Sequence, residues 1–230
     1  MDARIETLGD TALLLHVGDG MDRQASARVH ALTRAVREAD PDGLDDIVPA
    51  YASVLLRHHL TTTKATDALH QQIRELIAGL PDQADTATGH LHRIEVCYSG
   101  DYGSDLAELA SACGMSADEV VKRHCAPEYQ VAMTGFAPGF PYLIGLDPAL
   151  ATPRRDTPRT RVPAGSVGIA GPQTGIYPSE LPGGWQLIGR TPLRLLDADH
   201  ADQPCLLEPG DRVRFESIDA SQFKHRDPSC

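Results

Sequence analysis

Lysine is nearly missing from this sequence. Only Lys64, Lys122 and Lys224 occur in 230 residues, and the formal charge is −11. A chain this acidic repels DNA, RNA and anionic membranes, so none of these is expected as its main partner. The phosphate-loop pattern G-x-x-x-x-G-K-[ST] is absent, and no G-x-G-x-x-G follows a strand. Both absences argue against a nucleotide enzyme that acts alone. No run approaches the length of about 18 apolar residues that a bilayer-spanning helix needs. The opening "MDARIETLGD" lacks the basic and apolar regions of a signal peptide, and a cytoplasmic protein is expected. Cysteine is sparse and unpaired in pattern: Cys97, Cys113, Cys125, Cys205 and Cys230 include no C-x-x-C. Neither a disulfide framework nor a zinc knuckle follows from five such residues. The histidines are scattered, with no H-E-x-x-H. The adjacent His58 and His59 sit on an expected strand, where they point to opposite faces, so no metal is expected.

What is present divides at the polar stretch "PDQADTATGH", Pro81 to His90, which has no periodicity and reads as a linker. Before it, Arg4–Leu8 and Thr11–Val17 are strand-like around the Gly9-Asp10 turn. Ala25, Val29, Leu32 and Val36 recur at helical spacing, with Asp22 placed to cap. Two further strands are expected over Ile47–Ala50 and Tyr51–Arg57, then a helix carrying Leu69, Ile73, Leu76 and Ile77, stopped by Gly79 and Pro81. The order ββαββα predicts an α+β sandwich over residues 1–88, with both helices on one face of an antiparallel sheet.

The second part, 89–230, opens with a strand at Arg93–Tyr98. A helix capped by Ser104 follows, and then a capping box at Ser116 and Glu119 starts a short helix ending near His124. The texture then changes. Residues 130–192 hold ten of the 20 glycines and ten of the 17 prolines, which nearly excludes helix. Short apolar runs persist at Val131–Met133, Val167–Ala170, Gln186–Ile188 and Leu193–Leu196, and "EPGDRVRF" ends in an alternating strand. Many short strands with tight turns predict a β-barrel.

Charge is also redistributed there. Between 130 and 195 six arginines face three acids, a balance of +3 that leaves −14 of the total to the rest. Arginine's planar fork grips carboxylate and phosphate oxygens in pairs, and Pro153 and Pro158 stiffen "PRRDTPRTR". This arginine island is therefore a candidate docking site for an anion, and surface ion pairing is the competing reading. Arg190 is a further ligand candidate. The glycines of the 164–175 run could bring backbone amides close to an oxyanion. Ser166 matches the G-x-S-x-G elbow imperfectly, because Ala164 stands at the first glycine and no helix follows. His124, near a helix C-terminus, is a candidate acid or base near neutral pH, or else a packing histidine. "GFAPGFPYLIGL", 135–146, is too broken for a helix and too apolar for a solvated loop. Its Phe136, Phe140 and Tyr142, bent by Pro138 and Pro141, are expected to wall a ligand site or an interface. Gln173, Tyr177 and the lone Trp185 are candidates for the same wall.

The block "TGFAPGFPYLIGLDPALATPRRDTPRTRVPAGSVGIAGPQTGIYPSELPGGWQLIGRTPL" resembles the signature of the allophanate hydrolase subunit 1 family, which includes 5-oxoprolinase B subunits and KipI-type kinase inhibitors. "GDTALLLHVGD", "DIVPAYASVLLRH" and "VCYSGDYGSDLAELA" resemble its other segments, although a proline is expected near Ser104. The resemblance implies that the barrel is cyclophilin-like. It implies a complex with a C-type (KipA-like) subunit and an A-type subunit, cleaving 5-oxo-L-proline to L-glutamate with ATP shared among the subunits. Within that reading Arg154 and Arg159 hold anions and His124 carries a proton. Inhibition of a sensor histidine kinase is the alternative the family offers. A role in urea or allophanate metabolism ranks last, because neither an amidase serine-lysine signature nor a biotin-attachment motif is present.

Overall fold

A computed structural model describes residues 3–81, 89–199 and 204–226. Most of the expected linker, and Cys230, lie outside these residues. The chain forms two compact units, Met1–Thr88 and Gly89–Cys230. The fold is mixed α+β, with a closed seven-stranded barrel in the second unit.

In the first unit, β1 (Arg4–Leu8), β2 (Ala12–His16), β3 (Leu44–Pro49) and β4 (Ser53–His58) form one antiparallel sheet in the order β1-β2-β4-β3. Two helices cover it, α1 (Arg23–Ala39) and α2 (Thr63–Gly79). Asp22 starts α1 by accepting the Ala25 N–H at 2.8 Å, which satisfies one of the free donors of the first turn. Leu13 and Leu15 of β2 and Val54 and Leu56 of β4 alternate onto one face and meet the helical stripes Val29/Leu32/Val36 and Leu69/Ile73.

The second unit begins with β5 (Leu91–Cys97), a 3₁₀ turn at Gly100–Gly103, α3 (Leu106–Ala112) and α4 (Ala117–Cys125). Strands β6 (Tyr129–Thr134), β7 (Pro141–Ile144), β8 (Arg159–Val162), β9 (Ser166–Ala170), β10 (Gln173–Ile176), β11 (Leu181–Gly183), β12 (Gln186–Arg190) and β13 (Arg212–Ile218) follow, then α5 (Ala220–Arg226). The barrel order is β10-β7-β6-β13-β5-β12-β9, and β8 with β11 forms a separate two-stranded ribbon. β5 and β13 run parallel over seven residues, from Arg212 beside Leu91 to Ile218 beside Cys97.

Two local expectations need correction. Leu193–Leu196 is not a strand; only Leu196 makes an isolated bridge, to Cys205. Ser104 does not cap α3. The helix begins after Asp105, whose carboxylate makes no capping bond because it is engaged elsewhere. The Ser116 cap does form, accepting the Glu119 N–H at 3.2 Å. Glu119 turns instead to Arg123 at 2.6 Å.

Candidate functional site

β9 and β10 explain the glycine-rich run. Along a strand, side chains alternate between faces. Val167, Ile169, Thr174 and Ile176 point into the barrel and are fully buried. Ser166, Gly168 and Ala170 share the other face of β9 and Gln173 and Gly175 that of β10, with Gly168 directly opposite Gly175. The two facing glycines leave a side-chain-free floor. A Cβ on Gly168 would lie 3.0 Å from Trp185 Cβ, and one on Gly175 would lie 3.1 Å from both Phe140 Cζ and Trp185 Cζ3. The rings rest where side chains would stand. The amides of this run are taken up by the barrel ladder and its turns: Gly165 N–H donates to Tyr177, Ser166 N–H to Pro163 and Gly171 N–H to Thr152. The expected amide nest is therefore replaced by a bare floor for aromatic packing.

On this floor Phe140, 1% exposed, is the hub. Phe136, Tyr142, Tyr177 and Trp185 surround it with ring centroids 5.5, 4.9, 5.2 and 5.5 Å away, edge-on or tilted. Such geometry sets ring edges against ring faces and adds to simple burial. Val162 of β8 and Leu181 of β11 close the cluster from the ribbon side. The β6–β7 hairpin delivers Phe140, with Gly135 N–H donating to Phe140 O and Phe140 N–H to Ala137 O, each at 3.1 Å. The tip of this hairpin departs from ordinary backbone. Phe136 has φ +68° and is 61% exposed, with Pro138 exposed beside it. A bulky residue in the left-handed region costs about 1–2 kcal/mol, and strain of this kind concentrates at functional positions.

The arginines divide. Arg159 Nη2 and Arg155 Nη1 both donate to Asp105 Oδ1, at 2.5 and 3.0 Å. Asp105 is 2% exposed, and its second oxygen accepts the Leu187 N–H at 2.7 Å. One buried carboxylate thus ties the start of α3, strand β12 and the 153–159 loop together. Arg155 Nε and Arg159 Nη1 are buried without an acceptor among the described residues. Arg161 pairs with Glu180 at 2.7 Å in solvent, where such pairs contribute little. Arg190, opposite Ser166 in the β9–β12 register, donates to Ala164 O at 2.7 Å and lies over the Phe223 ring. Exposed Arg154 makes no ion pair among the described residues, and its positive charge acts on both Tyr142 and Tyr177. Burial raises the pKa of each phenol; Arg154 opposes this at both, and Arg159 at Tyr177. The Trp185 backbone is hydrogen-bonded to the Tyr177 hydroxyl, which further offsets its burial.

The structure therefore brings Phe136, Phe140, Tyr142, Tyr177 and Trp185 together with Arg154 and Arg159 nearby, and lays Ser166 and Gln173 on the same floor. Ser166 is 3% exposed and among the described residues has no histidine or carboxylate hydrogen-bonded to it, as an activated serine would need.

His124 belongs elsewhere. It is fully buried inside the barrel, stacked on Phe215 at 4.5 Å. Thr174 Oγ1 donates to Gly168 O at 2.9 Å and so accepts from His124 Nε2 at 3.1 Å. Nδ1 must then be the acceptor, taking the Tyr98 hydroxyl proton at 2.8 Å. The imidazole is neutral, in a single tautomer, with burial pushing its pKa down to about 3. Of the two readings of His124, the packing one fits this burial: desolvation outweighs the pull of the α4 terminus. Asp105 and Tyr98 were missed from the sequence. Their partners lie 26 to 82 residues away, and no local pattern marks them.

A closed barrel with an outer two-stranded ribbon and an aromatic floor places the molecule in a known class. The family described as carboxyltransferase domain, subdomain C and D, matches residues 3–207, and the chain belongs to it. Its relatives include the 5-oxoprolinase B subunit of Bacillus subtilis (strain 168), 38% identical, with 96% of this chain and 95% of that one covered. The 5-oxoprolinase B subunit of Escherichia coli O157:H7 is 41% identical, with 93% and 95% covered. Among solved structures, TTHA0988 matches with a TM-score of 0.77 at 39% identity, covering 91% of this chain. This chain spans 40% of that longer one.

Proposed function

We propose that the chain is the B-type component of an ATP-dependent 5-oxoprolinase, cleaving 5-oxo-L-proline to L-glutamate with C-type (KipA-like) and A-type subunits. The observation that carries this reading is the rigid aromatic wall with Arg154, free of ion pairs among the described residues, at its edge. A lactam ring is flat and apolar on its faces and bears one carboxylate. Phe136 and Tyr142, the rings that reach the surface over buried Phe140, Tyr177 and Trp185, suit the lactam ring, and exposed Arg154 with Arg159 beside it suits the carboxylate. Likeness to 5-oxoprolinase B subunits over nearly their whole length supports the same reading.

The lactam carbonyl is a poor electrophile. Transfer of the ATP γ-phosphoryl group to its oxygen activates the carbon; one water adds there and the ring C–N bond breaks, leaving γ-glutamyl phosphate, and a second water releases glutamate and phosphate. The 164–175 amides are taken up by the barrel, so this chain builds no triphosphate cradle from them. ATP is accordingly assigned to a site shared with the partner subunits. The match to part of a longer chain is in keeping with a unit that works beside other polypeptide. The same reading takes 1–88 and 89–230 as two domains, an α+β sandwich and a cyclophilin-like barrel, in a cytoplasmic complex.

The test is reconstitution. Purified A-type and C-type subunits, mixed with this chain, should release glutamate from 5-oxo-L-proline only with ATP and only when this chain is present, and Arg154→Ala should lower that activity at least 10-fold. Full activity without the chain would overturn the proposal in favour of a binding protein such as a kinase inhibitor.

A further inference from the structure

Four arginines, Arg154, Arg155, Arg159 and Arg161, lie in one proline-stiffened loop and strand; two of them share a partner, and that partner is a single buried carboxylate. We infer that Asp105 is a positioning residue: it fixes the 153–159 loop so that Arg159 presents its remaining donor, together with Arg154, beside the aromatic wall. The inference rests on the anion-site reading above and adds a residue which that reading does not contain.

The geometry carries it. Asp105 is bound at three points. Its backbone N–H donates to Leu187 O at 2.9 Å and its Oδ2 accepts the Leu187 N–H at 2.7 Å. The carboxylate is thereby fixed to β12, the strand that follows Trp185. Its other oxygen is free for the loop and takes both guanidinium groups, at 2.5 and 3.0 Å. Arg159 Nη2 lies also 3.4 Å from Ser104 Oγ. The loop backbone is tied to the same region, with Arg155 N–H donating to Gly184 O at 2.8 Å. A buried acid that served only to neutralise charge would match one arginine. Here two positive groups meet one negative group, and two guanidinium nitrogens, Arg155 Nε and Arg159 Nη1, remain buried without an acceptor among the described residues. Buried donors without acceptors are costly and rare. A charged anion at the wall would supply the missing acceptor for Arg159, and Asp105 would hold the fork at the angle that receives it.

Charge and position pull in opposite directions at Asp105. Asp105→Asn removes a negative charge beside two arginines. If only electrostatic attraction mattered, anions would bind more tightly. If position matters, they bind more weakly. The full-length chain is titrated with 5-oxo-L-proline, and separately with inorganic phosphate, following the emission of Trp185. Hydrogen exchange over 153–159 is read in the same samples. We expect Asp105→Asn to weaken binding at least 10-fold and to speed exchange of the Arg155 amide at least 10-fold, while residues 3–81 stay protected as in the wild type. In an Arg159→Met background, Asp105→Asn should weaken binding by less than it does in the wild type, because part of its effect runs through Arg159 and only the placing of Arg154 is left to lose. Arg159→Lys, which keeps the charge and the fold of the clamp but not the fork, should bind as weakly as Asp105→Asn and covers the case in which Asp105→Asn does not fold. Wild-type loop protection in Asp105→Asn, or a freed loop with unchanged or tighter binding, overturns the inference and leaves the anion site standing. Wild-type protein that binds neither probe overturns the anion site itself, and with it the role given to Asp105, even if the loop is shown to be clamped.

Discussion

Replacing His124 by leucine should change the shape of the stability curve against pH as well as its height. In the folded barrel the imidazole stays neutral down to about pH 3; in the unfolded chain it takes up a proton near the ordinary value of 6.5. Between these values the unfolded state binds a proton that the folded state refuses, so wild-type stability falls as pH falls through the window. The full gap corresponds to about 5 kcal/mol, and about 3 kcal/mol of it is already lost at pH 4.5. At pH 7.5 the leucine variant should be less stable by roughly 2–5 kcal/mol, because the Tyr98 hydroxyl loses its acceptor and Thr174 loses a donor in a dry core. The variant has no proton to refuse, so the two curves should converge towards pH 4.5. Urea unfolding followed by Trp185, the single tryptophan and a resident of the barrel unit, reads this directly at a series of pH values. Curves that stay parallel from pH 7.5 to 4.5 would refute the neutral, buried imidazole. They would also reopen the case for His124 as a proton carrier.

Other outcomes follow from single contacts. Phe136→Gly should be more stable than Phe136→Ala by about 1 kcal/mol, the reverse of the usual order, because only glycine relaxes at φ +68°; thermal unfolding of the two variants checks this. Gly183→Ala drives a Cβ into the Tyr177 hydroxyl and should destabilise the barrel by about 1–3 kcal/mol, with a shift in Trp185 emission as the wall gives way. An unchanged urea midpoint in that variant would show the ribbon to be free of the aromatic cluster.

Periodicity made the first unit readable. Ala25, Val29, Leu32 and Val36 pass straight from sequence spacing to the buried face of α1, since one helix against one sheet leaves little else for them to do. The barrel was harder. Its strands β7 and β10, and the ribbon strands β8 and β11, hold three or four residues each, too few for an alternation to show among so many glycines and prolines. The wall residues were legible as apolar residues in a broken, rigid stretch. The role of Gly168 and Gly175 was not: a glycine chosen for a ring to lie on looks the same in sequence as one chosen for a turn or an anion. Which of its two readings His124 follows was hidden for a related reason. The helix end that carries it is a local signal, whereas its burial against Tyr98, Thr174 and Phe215 depends on strands joined only in three dimensions. Asp105 shows the same limit, since its two arginines lie 50 and 54 residues away.

The side-by-side course of β5 and β13 fixes how the barrel can be threaded into longer polypeptides. Because the first and last strands point the same way, the chain enters at one rim and departs from the opposite rim, about 20 Å away for seven extended residues. Joining the two ends in a circular permutant therefore needs a bridge of at least about six residues running along the outside of the wall.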